Sequence, residues 1–390
     1  MHPEGIVANN VPPGTGLAIA GELQLSEPVG GQHLRTVVLT NTRQAGRFSS
    51  YVPDHRPNPA LEYAYLRENG IDQHLRDRMR FPLNPLERLD ILYAGIDPLR
   101  ALRVLLHDRH VDAVVCVYEN TAPVIVALRH VFRFGAPVFL LEVSERGWRP
   151  RDAILDFVVP RVDQVLTLTS ASKRYVESAY KLKRPAIVVG YAVDEIFFRP
   201  DAEASGSAYP GGDYILAVGD DQTRDYDVLL EACASVDIPL VIRSGLALRI
   251  PPRLGDKVKV IANRLSYQEL RDLYRHARLV ALPLRDADNP GGITTLFEGM
   301  AMAKPIVCSD TGATRDFIVD RKTGFLVPPG DATAFCAAVM RLLADPDQAT
   351  AVGTAARRRL EQNFSLRRRS ERIAAAIKAT LSSLRGRAVR

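Results

Sequence analysis

At 390 residues, with 46% hydrophobic and 25% charged residues, the chain has the composition of a soluble globular protein but exceeds what one hydrophobic core serves, so two domains are expected. The net charge of +6 gathers at one end: residues 357–390 hold eleven Arg or Lys against Glu361 and Glu371, with Phe364 as the sole aromatic, which suits solvated helix faces, then an anionic membrane surface, and not nucleic acid. Four scattered cysteines, no apolar run of about 18 residues and no Lys or Arg before residue 34 argue against a disulfide framework, a zinc site, a membrane span and a secretory signal, and a cytoplasmic location is expected.

Residues 1–33 are rich in Gly and Pro, with a stray strand at 16–25; Gly14-Thr-Gly16 follows Pro12-Pro13 rather than a strand, so it is no dinucleotide fingerprint. A β run over 34–41 leads into a polar loop, 42–50, of the kind that lines ligand crevices. The pattern then predicts helix-forming sequence over 58–80, a helix over 99–108, and a strand at 111–118 apolar enough to be buried on both faces. Helix 121–133, strand 137–143, helix 151–159, strand 164–169, helix 171–179 and strand 186–190 continue an alternation that implies a parallel, doubly wound α/β sheet. Pro200 and Pro210-Gly-Gly212 break it. A second alternation follows, with strands 214–218, 239–243, 257–261, 279–284, 305–309 and 324–327, helices 225–234, 266–276 and 312–318, one opening near 292, and three closing helices, 331–344, 347–363 and 366–384.

The stretch Asn289-Pro-Gly-Gly-Ile-Thr-Thr-Leu-Phe-Glu298 opens a helix on a glycine turn, an arrangement whose free backbone N–H groups attract phosphate. Gly291, Gly292, Ile293, Thr294 and Thr295 are its candidate donor-binding residues, and Glu298, one to two turns in, is placed to accept hydrogen bonds from a ribose. The loop Gly219-Asp-Asp-Gln-Thr-Arg224 leaves a strand at its carboxyl end, and Arg224 can fork onto phosphate oxygens or, in the plainer alternative, pair with Asp225 or Asp227. Asn263, after strand 257–261, faces the same cleft on this reading. Asp286-Ala-Asp288 could hold a divalent cation, but the helix head and Arg224 already neutralise phosphate, so no metal and no cofactor are expected.

The second half resembles the donor domain of the family 4 retaining glycosyltransferases, of GT-B fold. Four pieces carry the resemblance in order: Tyr214–Gly219 with Arg224–Ala232, Leu265–Tyr274, Leu296–Val307 and Asp320–Asp331; the entry to the linker, Gly190–Pro200, is similar too. The resemblance implies two Rossmann-like domains facing across a cleft: an acceptor-binding domain over 1–195, a linker at 196–213, a nucleotide-sugar domain over 214–365, and a basic helix, 366–390, packing back on the first. It makes Glu298 the second glutamate of an E-x7-E motif, a ribose ligand, and sets Arg224 where the family has a phosphate-binding lysine.

The chain departs from the pattern at three places. Pro290 replaces the first glutamate, Asp220 stands where a basic residue normally follows Gly219, and Glu142, Ser144 and Glu145 occupy the place of a histidine near the reacting carbon. Glu142 joins Arg224 and Glu298 as a catalytic candidate, and a variant subgroup or a changed donor is expected. The implied activity is transfer of a sugar from a nucleotide-diphosphate donor to a sugar, lipid-linked or small-molecule acceptor, with retention and with peripheral membrane contact open. The rivals are a sugar-nucleotide epimerase of the same fold and a degenerate binding or scaffold subunit.

Overall fold

A computed structural model describes residues 33–40, 51–52, 54–76, 96–143, 149–203, 213–286 and 291–388. The expected strand at 16–25, the loop 42–50, Ser144, Glu145, Asp288, Asn289, Pro290 and residues 204–212 of the linker lie outside these. Two six-stranded parallel sheets organise the rest. The first holds β1 (Leu34–Leu39), β2 (Ile71–Leu75), β3 (Ala113–Val117), β4 (Val138–Leu141), β5 (Gln164–Thr167) and β6 (Ile187–Val188), in the order β2-β1-β3-β4-β5-β6. The second holds β7 (Tyr214–Val218), β8 (Leu240–Arg243), β9 (Val258–Ile261), β10 (Ala277–Leu282), β11 (Ile306–Ser309) and β12 (Phe325–Val327), in the order β12-β11-β10-β7-β8-β9.

Both halves alternate strand and helix, as right-handed crossovers between parallel strands require. The first half carries α1 (Leu61–Glu68), α2 (Pro98–His107), α3 (Pro123–Leu128), α4 (Arg149–Val158) and α5 (Ser170–Ala179). The second carries α6 (Tyr226–Ala232), α7 (Tyr267–His276), α8 (Ile293–Ala301), α9 (Thr314–Phe317), α10 (Ala332–Ala344) and α11 (Pro346–Asn363), and α12 (Leu366–Ala388) closes the chain. Local chemistry sets these starts. Ser266 and Glu269 form a reciprocal capping box at the head of α7, and Asp97 caps α2 just before Pro98.

Two expectations fail here. The segment 58–80 is not one helix: α1 ends at Glu68, Gly70 turns with φ +74°, and β2 follows as an edge strand. Ile71-Asp-Gln-His-Leu75 hides its strand character because an edge strand has one covered side and tolerates polar residues between its apolar ends. The helix expected over 121–133 is a short 3-10 turn and then α3, which stops at Leu128.

Strands such as β4 and β7 are buried along their whole length, since each sheet is covered on both faces. The cover of one face of the first sheet comes from the far end of the chain. Ile373, Ala374, Ile377 and Leu381 of α12 share one buried cluster with Val38, Val115, Phe139 and Leu166. Arg367 Nη1 donates to Glu68 Oε2 at 2.6 Å alongside this contact.

The two halves also meet through Tyr191, whose ring packs against Phe297 and Phe317 of the second half. Asp316 on α9 accepts from Ser170, at the head of α5, through its backbone N–H at 2.7 Å and its hydroxyl at 2.6 Å. Arg357 of α11 holds the crossing segment down: its Nη1 donates to Phe198 O at 2.7 Å and Ala301 O at 2.6 Å, and its Nη2 to Glu195 O at 3.0 Å. Arg357→Met would leave these three carbonyls without their donor and should lower stability by about 2–4 kcal/mol. Urea unfolding reads this as a lower midpoint; an unchanged midpoint would show that the clamp contributes nothing.

Candidate active site

The second sheet reverses its strand order between β7 and β10, so the carboxyl ends of those two strands open a crevice suited to a ligand. The loop after β7 and the turn into α8 meet there. Backbone bonds lace this loop across the switch point: Asp225 N–H donates to Pro283 O at 3.1 Å and Arg285 N–H to Thr223 O at 2.8 Å, with Arg224 bridging antiparallel to Leu284. Tyr226 adds its hydroxyl to Gly219 O at 2.8 Å.

This lacing turns Arg224 inward, to a side-chain exposure of 3%. Its Nη2 donates to Thr295 Oγ1 at 3.1 Å, and that hydroxyl donates onward to Val218 O at 3.1 Å. Its Nε lies 3.1 Å from Asp221 Oδ2. That approach is an ion pair without hydrogen-bond alignment, so both Nε and Nη1 are buried without a hydrogen-bond partner. The guanidinium rests on two glycines, since a methyl group added at Gly219 or at Gly292 would collide with it. Gly292 is the N-cap of α8 and has φ +81°, a left-handed backbone that glycine adopts without strain. The cation and the N–H groups of the first turn of α8 therefore share one place.

Deeper in α8, Glu298 is almost fully buried, and Tyr274 of α7 donates its hydroxyl to Glu298 Oε2 at 2.8 Å. Burial pushes the Glu298 carboxyl up to about 7, against the pull of the Tyr274 hydroxyl and of the Arg224 and Arg243 guanidinium groups. Burial, with the Glu298 charge beside it, drives the Tyr274 hydroxyl well above its ordinary value.

Gly219, Arg224, Gly291, Gly292, Thr295 and Glu298 are thus gathered around one crevice. Thr294 is exposed at the head of α8, whereas Ile293 turns into the core. Asn263 is exposed beyond the end of β9, which β8 separates from β7. Glu142 belongs to the other sheet. It follows β4 with φ +64°, burial raises its carboxyl, Tyr118 bonds to it, and its charged neighbours are Arg369, Glu119 and Glu62.

The plainer alternative for Arg224 does not form. Asp225 and Asp227 face Arg285 at 3.9 and 4.0 Å, and Asp221, one turn before Arg224, takes the guanidinium instead. Asp220 does not point a bare charge at the crevice either. It accepts from Arg243 and, at 2.6 Å, from Gly245 N–H, which ties its loop to the end of β8. Tyr274, Asp221 and Arg243 are the residues that sequence reasoning missed. Tyr274 had one visible mark, a hydroxyl beside Leu273 on the apolar side of α7. Among the described residues no cluster of His, Cys, Asp or Glu is arranged to hold a metal ion.

The family described as "Glycosyl transferases group 1" matches residues 212–345, the segment that contains this crevice. A lipopolysaccharide core biosynthesis mannosyltransferase, LpcC, of Rhizobium leguminosarum bv. viciae is 30% identical over 309 residues, which cover 74% of this chain and 81% of the relative. Sucrose-phosphate synthase from Thermosynechococcus elongatus superposes with a TM-score of 0.66 at 18% identity, over 90% of this chain and all of that one (100%). HepE from Anabaena, solved in complex with UDP-glucose, gives a TM-score of 0.62 at 12% identity over 89% of this chain and 100% of its own. The two parallel six-stranded sheets with their helices match the GT-B fold of neighbours such as sucrose-phosphate synthase. The chain belongs to the group 1 glycosyltransferases, and its activity is glycosyl transfer from a nucleotide sugar.

The buried Glu298 carboxyl makes stability depend on pH. Its value in the folded protein, about 7, exceeds the ordinary 4.5, so the folded state keeps a proton that the unfolded chain releases. The stabilisation is complete below the ordinary value and is lost as pH rises through about 7. Glu298→Gln is a permanent mimic of the protonated form. Its stability relative to wild type should therefore climb between pH 5 and pH 8, by on the order of 3 kcal/mol, in paired thermal unfolding curves.

Proposed function

We propose that this chain moves a hexosyl group from a nucleotide-diphosphate sugar to an acceptor hydroxyl with retention of configuration. Arg224 and the head of α8 hold the diphosphate, and Glu298 holds the ribose. The supporting observation is the partnerless Nη1 of a buried guanidinium lying against the left-handed cap of α8. A buried cation with an unmade hydrogen bond is costly, and a phosphate oxygen at the helix head would complete it.

The chemistry asks for that charge. When the bond between the anomeric carbon and the β-phosphate oxygen breaks, the electron pair leaves with the phosphate and positive charge grows on the sugar ring. Arg224 and the first N–H groups of α8 stabilise the departing oxygen, a preorganised electrostatic task that needs no covalent enzyme intermediate and no divalent metal. The acceptor oxygen bonds to the same carbon and passes its proton to the departing phosphate oxygen. The family resemblance is what supports retention. With Oε2 of Glu298 fixed by Tyr274, the other carboxylate oxygen remains for the ribose hydroxyls.

The N-terminal sheet then serves the acceptor, with Tyr118 and Glu142 standing at adjacent strand ends. Among the described residues no helix is long and apolar enough to cross a membrane, and a lipid-linked acceptor would be met by peripheral contact. The activity of the Rhizobium relative makes mannose the first sugar to offer. Glu298→Ala should raise the donor KM about 10- to 100-fold. NMR of the product should show the donor's anomeric configuration, and an inverted product would remove retention. If no nucleotide sugar raises the melting temperature, the crevice is not a donor site.

A further inference from the structure

The place where Arg224 meets the head of α8 already holds an anion, supplied by the chain itself. Asp221 Oδ2 lies 3.1 Å from Arg224 Nε. Asp221 Oδ1 accepts from Thr223 N–H at 3.2 Å and from the Thr223 hydroxyl. A methyl group added at Gly291 would lie 2.6 Å from that same Oδ1 and would collide with Thr223 Oγ1. The carboxylate is therefore wedged between the guanidinium and the glycine turn that enters α8. A guanidinium, a hydroxyl and the N–H groups of a helix head are what a phosphate oxygen seeks.

The two partners differ in their freedom to leave. The Arg224 side chain is 3% exposed and laced in by Thr295 and the bridge to Leu284, whereas the Asp221 side chain is 41% exposed. Rotation about its own side-chain bonds takes the Asp221 carboxylate into water, and Arg224 cannot follow. Without a ligand the pair keeps a buried guanidinium from standing uncompensated. With a diphosphate bound, two anions contend for one cation.

We propose that Asp221 is a placeholder in the phosphate seat: an internal carboxylate that the donor's diphosphate displaces, and that lowers donor affinity by competing with it. This rests on the reading of Arg224 as the diphosphate ligand. No bond is made or broken in the exchange. Departure of the nucleoside diphosphate lets the carboxylate return, so the device also assists product release.

Calorimetric titration of GDP and UDP, and of uncharged guanosine and uridine, into wild type and Asp221→Asn tests this. Asparagine keeps the side-chain oxygen that Thr223 N–H needs, so the turn survives and the charge alone is removed. The variant should bind the nucleoside diphosphate that wild type prefers about three- to ten-fold more tightly, with nucleoside affinity unchanged. Asp221→Ser, a shorter group that the turn also accepts, should change affinity in the same direction. Equal or weaker diphosphate binding in both variants would make Asp221 a mere holder of Arg224 and overturn the placeholder. A gain shared by the uncharged nucleosides would overturn it too, since the charge would not be the cause. If wild type binds neither GDP nor UDP, the donor-site reading itself fails and the placeholder fails with it.

Discussion

The crevice of the second half is arranged around one buried guanidinium. Arg224 lies where β7 ends and α8 begins, and its presence explains features that look unrelated in the sequence. Gly219 and Gly292 are glycines because a methyl group at either position would collide with the cation. The hydroxyl of Thr295 is engaged with Arg224 and Val218 and so orients the cation. The backbone bridges from residues 223–225 to 283–285 keep the loop from swinging the arginine out to solvent. On the proposed mechanism, a cation held this firmly is preorganised for the charge that grows as the leaving group departs.

Around that centre the fold supplies rigidity and a second wall. The strand order places the Arg224 loop and the head of α8 on adjacent strands, and Tyr274 reaches over from α7 to fix the one carboxylate on the inner side of α8. The first sheet is tied to the second by α12, by the Arg357 clamp and by the Asp316 contact to the head of α5. The last of these is small and polar, and such contacts separate more readily than a buried apolar face.

The fold was legible where periodicity is strong. Strands buried on both faces, such as 214–218, appear where their apolar runs predicted them, and the alternation with helices fixed the parallel sheets. It failed at Ile71–Leu75, where an edge strand has polar residues inside and resembles the helix before it. In the site, Gly292, Arg224 and Glu298 could be read because glycine turns, arginines and helix heads have local chemistry. Tyr274 and Asp221 could not. Tyr274 matters through a helix 24 residues away in sequence, and the choice of Asp221 over Asp225 or Asp227 depends on which way the loop turns the arginine. That direction is set by bridges to residues 283–285, a non-local fact.

On the proposed function the buried cation exists to hold a diphosphate. Replacing Arg224 by methionine keeps the bulk and the apolar contacts and removes the charge. Calorimetry with GDP and UDP, run beside thermal unfolding of the same protein, reads the consequence. The melting temperature should change little while nucleoside diphosphate affinity falls by about 100-fold or more. Undiminished affinity in a folded Arg224→Met protein would contradict it.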